Sequence, residues 1–109
     1  MTDIIIMGAK GRMGSTLVRL TQADPELRLA GVCERPGHEA GLEGLGCMVS
    51  SDMDAVFGKF PKAVVIDFTA PEASVAMARA AAEHGNPAVI GTTGLTPAQQ
   101  GELADAARK

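Results

Sequence analysis

Aromatic side chains are almost missing from this chain: of its 109 residues none is tryptophan, none is tyrosine and three are phenylalanine. Nucleic acids are held by stacking rings set in basic surface. Here 10 basic side chains face 13 acidic ones, for a formal charge of −3, so nucleic acid is a poor candidate partner. Cysteine is scarce as well. Cys33 and Cys47 lie outside any C-x-x-C pair, and two such residues make no disulfide framework. They read as free, buried thiols in a reducing cytoplasm, with no redox role. Long apolar runs are absent too. A stretch such as Ile4 to Met7 is far too short to cross a bilayer, and no basic segment followed by an apolar one opens the chain, so no signal peptide is expected. His38 and His84 have no Cys, His or carboxylate at a metal-ligand spacing, and no metal site is expected.

What remains is the composition of one globular domain, 46% hydrophobic and 21% charged. With so few rings, its core must be built from Val, Ile, Leu, Met and Ala, the six methionines serving as filler. Such residues suit strands covered on both faces by helices.

Asp3 to Met7 is a run of stiff, branched side chains and predicts a strand. A glycine-rich turn, Gly8 to Gly14, follows. Met13, Leu17 and Leu20 then recur at helical spacing, with Arg19 and Gln22 left for the other face. This predicts a helix to about Ala23, stopped before Pro25. Leu27 to Glu34 reads as a second strand and Pro36 to Gly46 as a loop. Cys47 to Ser50 reads as a short strand, Met53 to Phe57 as a helical turn and Ala63 to Phe68 as a buried strand. Thr69-Ala70-Pro71-Glu72 is the pattern of a helix start: Thr69 can cap, Glu72 can reach back, and Pro71 is tolerated in the first turn. That alanine-rich helix stops at Gly85, before Pro87. Ala88 to Ile90 is a strand, and Thr96-Pro97-Ala98-Gln99 opens a last helix that runs to the terminus. Strands and helices alternate throughout, which predicts an open parallel α/β sheet, doubly wound, with helices on both faces. Ending on a helix with no following strand is unusual for such a sheet, and the chain is expected to be the first part of a longer protein.

The turn after the first strand has the build of a pyrophosphate site. Gly8 permits a tight turn, Gly11 lets backbone approach an anion, and Gly14 lets helix pack on strand. The helix end adds unpaired N–H groups and a partial positive charge. The spacing is G-x-x-G-x-x-G rather than the commoner G-x-G-x-x-G, and no Lys-Ser or Lys-Thr pair follows to make it a P-loop. A dinucleotide fold also needs an acidic residue at the end of the second strand, to accept from the adenosine ribose. Glu34 stands there, 20 residues after Gly14. Arg35, Lys10 and Arg12 are cations suited to a 2′-phosphate. A carboxylate beside a guanidinium points to use of both NADH and NADPH. A plain βα turn with a solvated strand end explains the same residues without a ligand.

A second glycine cluster, Gly91-Thr92-Thr93-Gly94, follows a strand and so falls at the sheet's carboxyl edge, where open α/β folds bind ligands. Its hydroxyls suit the nicotinamide half. Asp67-Phe68-Thr69 ends at the same edge, where Phe68 can wall a cofactor, Asp67 can orient backbone N–H groups and Thr69 is better read as a helix cap.

With GAKGRMG after the first strand, ER at the end of the second, then VVIDFTAPE and VIGTTGL, the chain resembles the amino-terminal nucleotide-binding domain of 4-hydroxy-tetrahydrodipicolinate reductase. This enzyme of lysine and diaminopimelate biosynthesis is also called dihydrodipicolinate reductase. The resemblance covers essentially the whole chain and implies a Rossmann-type sheet. It assigns Gly8, Ala9, Lys10, Gly11, Arg12 and Met13 to the phosphates, Glu34 to the adenosine ribose, Arg35 to the 2′-phosphate of NADPH, and Gly91, Thr92 and Thr93 to the nicotinamide half. It further implies a dicarboxylate substrate and a homotetramer for the full-length protein. The substrate domain of that family, with its paired histidines, proton-donating lysine and glycine-threonine-alanine segment, is not in this chain. A stand-alone nucleotide sensor, or the nucleotide domain of another two-domain dehydrogenase such as a homoserine or sugar-acid type, are the competing readings.

Overall fold

The computed structural model describes residues 2–38 and 40–107, with the side chain of Glu43 outside the description. Five parallel strands form one sheet: β1 (Thr2–Met7), β2 (Leu27–Cys33), β3 (Met48–Ser50), β4 (Val64–Asp67) and β5 (Ala88–Ile90). Four helices connect or follow them: α1 (Arg12–Ala23), α2 (Met53–Lys59), α3 (Pro71–His84) and α4 (Pro97–Ala107). Arg108 and Lys109, at the predicted end of the last helix, lie outside the described residues. The strand order is β3-β2-β1-β4-β5, all neighbours pairing parallel. The chain runs outward from β1 to β3, returns, and runs outward again on the other side. The order therefore reverses between β1 and β4, which sets a crevice at their carboxyl ends.

Side-chain alternation along β1 builds two cores. Ile5 and Met7 join Cys33, Val65, Val56, Phe57, Met77, Ala80 and Ala81 on the face covered by α2 and α3. Ile4 and Ile6 join Val32, Ala9, Val18 and Leu42 on the face covered by α1. Phe57 is fully buried, a transfer worth about 1.5–3 kcal/mol for a side chain of this kind. Of the methionines, Met7 and Met77 are core filler, whereas Met13 is 46% exposed.

The predicted element order holds, with local corrections. β2 stops at Cys33 and β4 at Asp67, so Glu34 and Phe68 sit just past the strand ends. The helical turn at Met53 extends into a seven-residue helix, capped by the Asp52 carboxylate accepting from the Ala55 N–H at 3.3 Å. The loop after Pro36 contains a 3-10 turn over Glu43–Leu45. The buried face of α1 is Gly14, Val18 and Thr21; of the Met13, Leu17 and Leu20 stripe only Leu17 packs against the core, half-buried, while Met13 and Leu20 are exposed. Gly14 dictates this choice: a Cβ there would stand 2.0 Å from the Gly8 carbonyl oxygen, so the helix turns this edge to the sheet. Thr21 is buried without penalty because its hydroxyl donates to the Leu17 carbonyl at 2.7 Å.

Thr69 does not cap α3. The cap position is Ala70, which makes no side-chain cap bond, so the capping box with Glu72 does not form. The Asp67 carboxylate captures Thr69 first, accepting from both its backbone N–H and its hydroxyl. The same motif does form at α4, where Thr96 Oγ1 accepts from the Gln99 N–H and Gln99 Oε1 accepts from the Thr96 N–H. Gly85 ends α3 at φ +74°, as the glycine stop predicts.

His84 corrects the sequence reading in a different way. The fold sets its Nε2 3.1 Å from Asp54 Oδ1, with Glu83 beside them, a grouping of possible ligand atoms that chain spacing hides. Its ring stands edge-on to Phe57, and it links α2 to the carboxyl end of α3. Of the two free cysteines, Cys33 is buried but Cys47 is only half-buried.

Candidate nucleotide-binding site

The candidate cofactor residues follow the carboxyl ends of β1, β2, β4 and β5. β1 delivers Gly8, whose N–H donates to the Cys33 carbonyl at 2.8 Å and whose φ of +66° turns the chain out of the sheet. Gly8 also lies under the Thr69 side chain; a Cβ on it would stand 2.7 Å from Thr69 Cγ2. The turn closes through the Gly11 N–H, which donates to the Gly8 carbonyl at 3.0 Å. Gly11 is itself the helix cap residue. It offers no side chain to the end of α1, and no acidic residue occupies the first turn. The N–H groups that a side chain usually covers are therefore left for another acceptor, and an anion suits them.

Three glycines of one motif thus have three separate reasons. Gly8 needs its positive φ, and Gly14 needs contact with the Gly8 carbonyl. Gly11 has an ordinary φ of −71°, and a Cβ there would meet protein only at 3.4 Å. The fold does not require glycine at position 11, so the space its missing side chain leaves belongs to the crevice. Ala9 is 3% exposed and turned into the α1-side core, so only its backbone faces the turn. Arg12 and Met13 are exposed at the start of α1.

Glu34 is held beside this turn. One carboxylate oxygen accepts from the Lys10 N–H at 3.2 Å and the other from the Arg35 N–H at 3.1 Å. A carboxylate has about four lone-pair sites, so each oxygen keeps capacity for a hydroxyl donor. Lys10 Nζ donates to the Ala40 carbonyl at 3.0 Å, which ties the loop after β2 to the glycine turn. Among the described residues the Arg35 side chain makes no ion pair.

From β4, Phe68 is 39% exposed and lies across Gly91: a Cβ on Gly91 would fall 2.0 Å from the ring. Phe68 and Thr69 share one depression with Gly8, Lys10, Gly11, Glu34, Arg35 and His38. Gly91 is tied to the same strand end, its N–H donating to the Asp67 carbonyl at 2.8 Å. Phe68 is thus the bridge between the two glycine clusters. Thr92 is half-buried and Thr93 exposed beyond it.

Sequence reasoning missed the wall on the α3 side. A concavity of about 370 Å³ opens between Glu34, Arg35, Ser51 and Met53 on one side and Ala70 and Ala73 on the other, with Cys33 at its base. This is within the usual volume range of small-molecule sites. The alanines at positions 70 and 73 were its one signal in the sequence: small side chains one helical turn apart leave room. Burial, with Asp52 and Glu34 nearby, pushes the Cys33 thiol up to about 12, so it lines the concavity as a neutral apolar group.

Residues 2–109 match the family described as "Dihydrodipicolinate reductase, N-terminus". The chain belongs to that family. Among its relatives is the 4-hydroxy-tetrahydrodipicolinate reductase of Nitratidesulfovibrio vulgaris (strain Hildenborough), 58% identical over 108 residues, which are 99% of this chain and 42% of that protein. The protein of the same name from Desulfovibrio desulfuricans is 45% identical over 108 residues, again 99% of this chain and 42% of the other. Among solved structures, the dipicolinate-bound dihydrodipicolinate reductase from Paenisporosarcina sp. TG-14 superposes with a TM-score of 0.80 at 21% identity, covering 98% of this chain and 43% of that one. A homoserine dehydrogenase from S. aureus superposes at 0.75 with 14% identity, over 98% of this chain and 30% of that one. Those two likenesses speak to the fold alone. This member of the dihydrodipicolinate reductase amino-terminal family spans well under half the length of the curated relatives it matches. Among the described residues, no helix is long and apolar enough to cross a membrane.

Proposed function

We propose that this chain binds NADH and NADPH as the nucleotide half of a 4-hydroxy-tetrahydrodipicolinate reductase. The observation that carries the reading is the start of α1: a helix end with no side-chain cap, set where the strand order reverses, with the Glu34 carboxylate fixed beside it. A nicotinamide dinucleotide fits these residues. Its diphosphate would lie on the N–H groups of Arg12 and Met13, where both the missing Cβ of Gly11 and the helix dipole favour an anion. The Ala9 backbone and the Lys10 ammonium would complete that cradle. Glu34 would accept from the adenosine ribose, and Arg35 would face a 2′-phosphate. The adenine would enter the concavity between Arg35 and Ala70. Phe68 would wall the chain of phosphates and ribose on its way to Gly91, Thr92 and Thr93, which would hold the nicotinamide half.

When bound, the cofactor supplies a hydride from its nicotinamide ring. The residues of this chain bind and orient it, and none of them is assigned a proton transfer. Reduction of a dicarboxylate substrate in lysine and diaminopimelate biosynthesis, in a cytoplasmic homotetramer, belongs to the same proposal for the full-length protein. The test is titration calorimetry of the chain with each nucleotide. Saturable heat with both NADH and NADPH is expected, and no heat with either at millimolar concentration would overturn the reading.

A further inference from the structure

Ser74 is the second fully buried polar side chain near the carboxyl edge, with Asp67 the first. It projects from an otherwise alanine-rich helix. Its Oγ donates to Thr92 Oγ1 at 2.7 Å, joining residues 18 apart in sequence. Among the described residues this is the one side-chain hydrogen bond from α3 to the Gly91–Gly94 segment. Resting on the nucleotide reading above, we infer that Ser74 is a positioning residue: it holds the Thr92 hydroxyl in place toward the nicotinamide half of the cofactor.

Three observations combine to give this role. First, Ser74 has no exposure, so it touches no ligand and acts only through Thr92. Second, a hydroxyl has one proton to give. Whichever of the two hydroxyls supplies the shared proton, the bond fixes the Thr92 hydroxyl against α3 and leaves it hydrogen-bonding capacity for a ligand. Third, the segment has little else to fix it. Gly91 is held by its N–H to Asp67 and by the Phe68 ring, but Gly94 has a φ of +82° with open space around it. Thr92 is where the segment is fastened to the helix. The ligand group that such a hydroxyl meets is a polar group of the carboxamide or of the adjoining ribose.

A contrast between ligands separates this role from a merely structural one. The probes are NADH and ADP-ribose, which share the adenosine and diphosphate and differ in the nicotinamide. Ser74→Ala is expected to weaken NADH about 5-fold, the scale of one neutral hydrogen bond, and to leave ADP-ribose unchanged. Equal weakening of both ligands, or of neither, would overturn the inference. Thr92→Val is expected to lose NADH affinity, and Thr92→Ser, which keeps the hydroxyl, to recover most of it. If Ser74→Ala does not fold, this second pair decides the question. Adding Ser74→Ala to Thr92→Val should cost nothing further; additive losses would contradict action through Thr92. An unsubstituted chain that binds ADP-ribose but shows no extra affinity for NADH would remove this inference alone. A chain that binds neither would remove the nucleotide reading with it.

Discussion

Gly11→Ala separates what the fold needs from what a ligand needs. At φ −71° and ψ 169° alanine is as much at home as glycine, and its Cβ would meet only the Gly8 carbonyl oxygen, at 3.4 Å. Restricting the unfolded chain should stabilise by about 0.4–1 kcal/mol. Alanine is a poorer helix cap than glycine, by about 0.5–1 kcal/mol. The two nearly cancel, so the urea midpoint should barely move. Nucleotide binding should respond very differently. The new methyl stands where a phosphate oxygen must approach the end of α1, and displacing it forfeits one or two charge-assisted hydrogen bonds of about 1.5–3 kcal/mol each. A loss of at least about 10-fold in NADH affinity is therefore expected by calorimetry. Gly14→Ala is the counter-case: its Cβ would overlap the Gly8 carbonyl at 2.0 Å, and the chain should be severely destabilised whether or not nucleotide is present. A Gly11→Ala chain that unfolds as readily as Gly14→Ala, or that binds NADH unchanged, would refute the reasoning.

Arg35→Ala should weaken NADPH by about 10-fold or more and NADH little, because a guanidinium pairs with the extra phosphate alone; equal losses in titrations with the two nucleotides would count against it. Asp67→Ala should lower stability by about 1–3 kcal/mol in urea unfolding, since it strands the Thr69 N–H and hydroxyl that the buried carboxylate now accepts from. The Cys33 thiol gives a pH test. Its folded value of about 12 lies above the unfolded one, so folded chain keeps a proton that unfolded chain loses. Stability from this group should be intact below about pH 8.5 and fall as pH rises from there toward 12. Cys33→Ala should flatten that slope, and an unchanged slope would be the contrary result.

The fold was legible because its strands are short, branched and bounded by glycine or proline, and each helix has a start or stop signal. Ile4 to Ile6 cannot be anything but buried strand in such a setting, and Gly85 before Pro87 marks a stop without help from the rest of the chain. The failures came where one contact displaced another that the local sequence favoured. Thr69 has the sequence of a cap, but Asp67 sits two residues away and buried, and takes both its donors. The stripe of Met13, Leu17 and Leu20 has helical spacing, but the contact between Gly14 and Gly8 turns Val18 inward, keeps only Leu17 of the stripe against the core and leaves Met13 and Leu20 exposed. His84 and Asp54 are 30 residues apart and meet only because α2 packs on α3. Within the candidate site, backbone signals such as the glycine turn and Glu34 could be read directly. The Ala70 and Ala73 wall and the Ser74–Thr92 link could not, because small residues on a helix announce no direction until the helix is packed.

The most direct measurement is a two-dimensional amide NMR titration of the isotopically labelled chain with NADH. Shifts concentrated at Gly8 to Met13, at Glu34 and Arg35, and at Gly91 to Thr93 are the expected result, with the α4 amides still. Shifts absent from the start of α1, or gathered around α3 and α4 away from the sheet's carboxyl edge, would contradict nucleotide binding in this crevice.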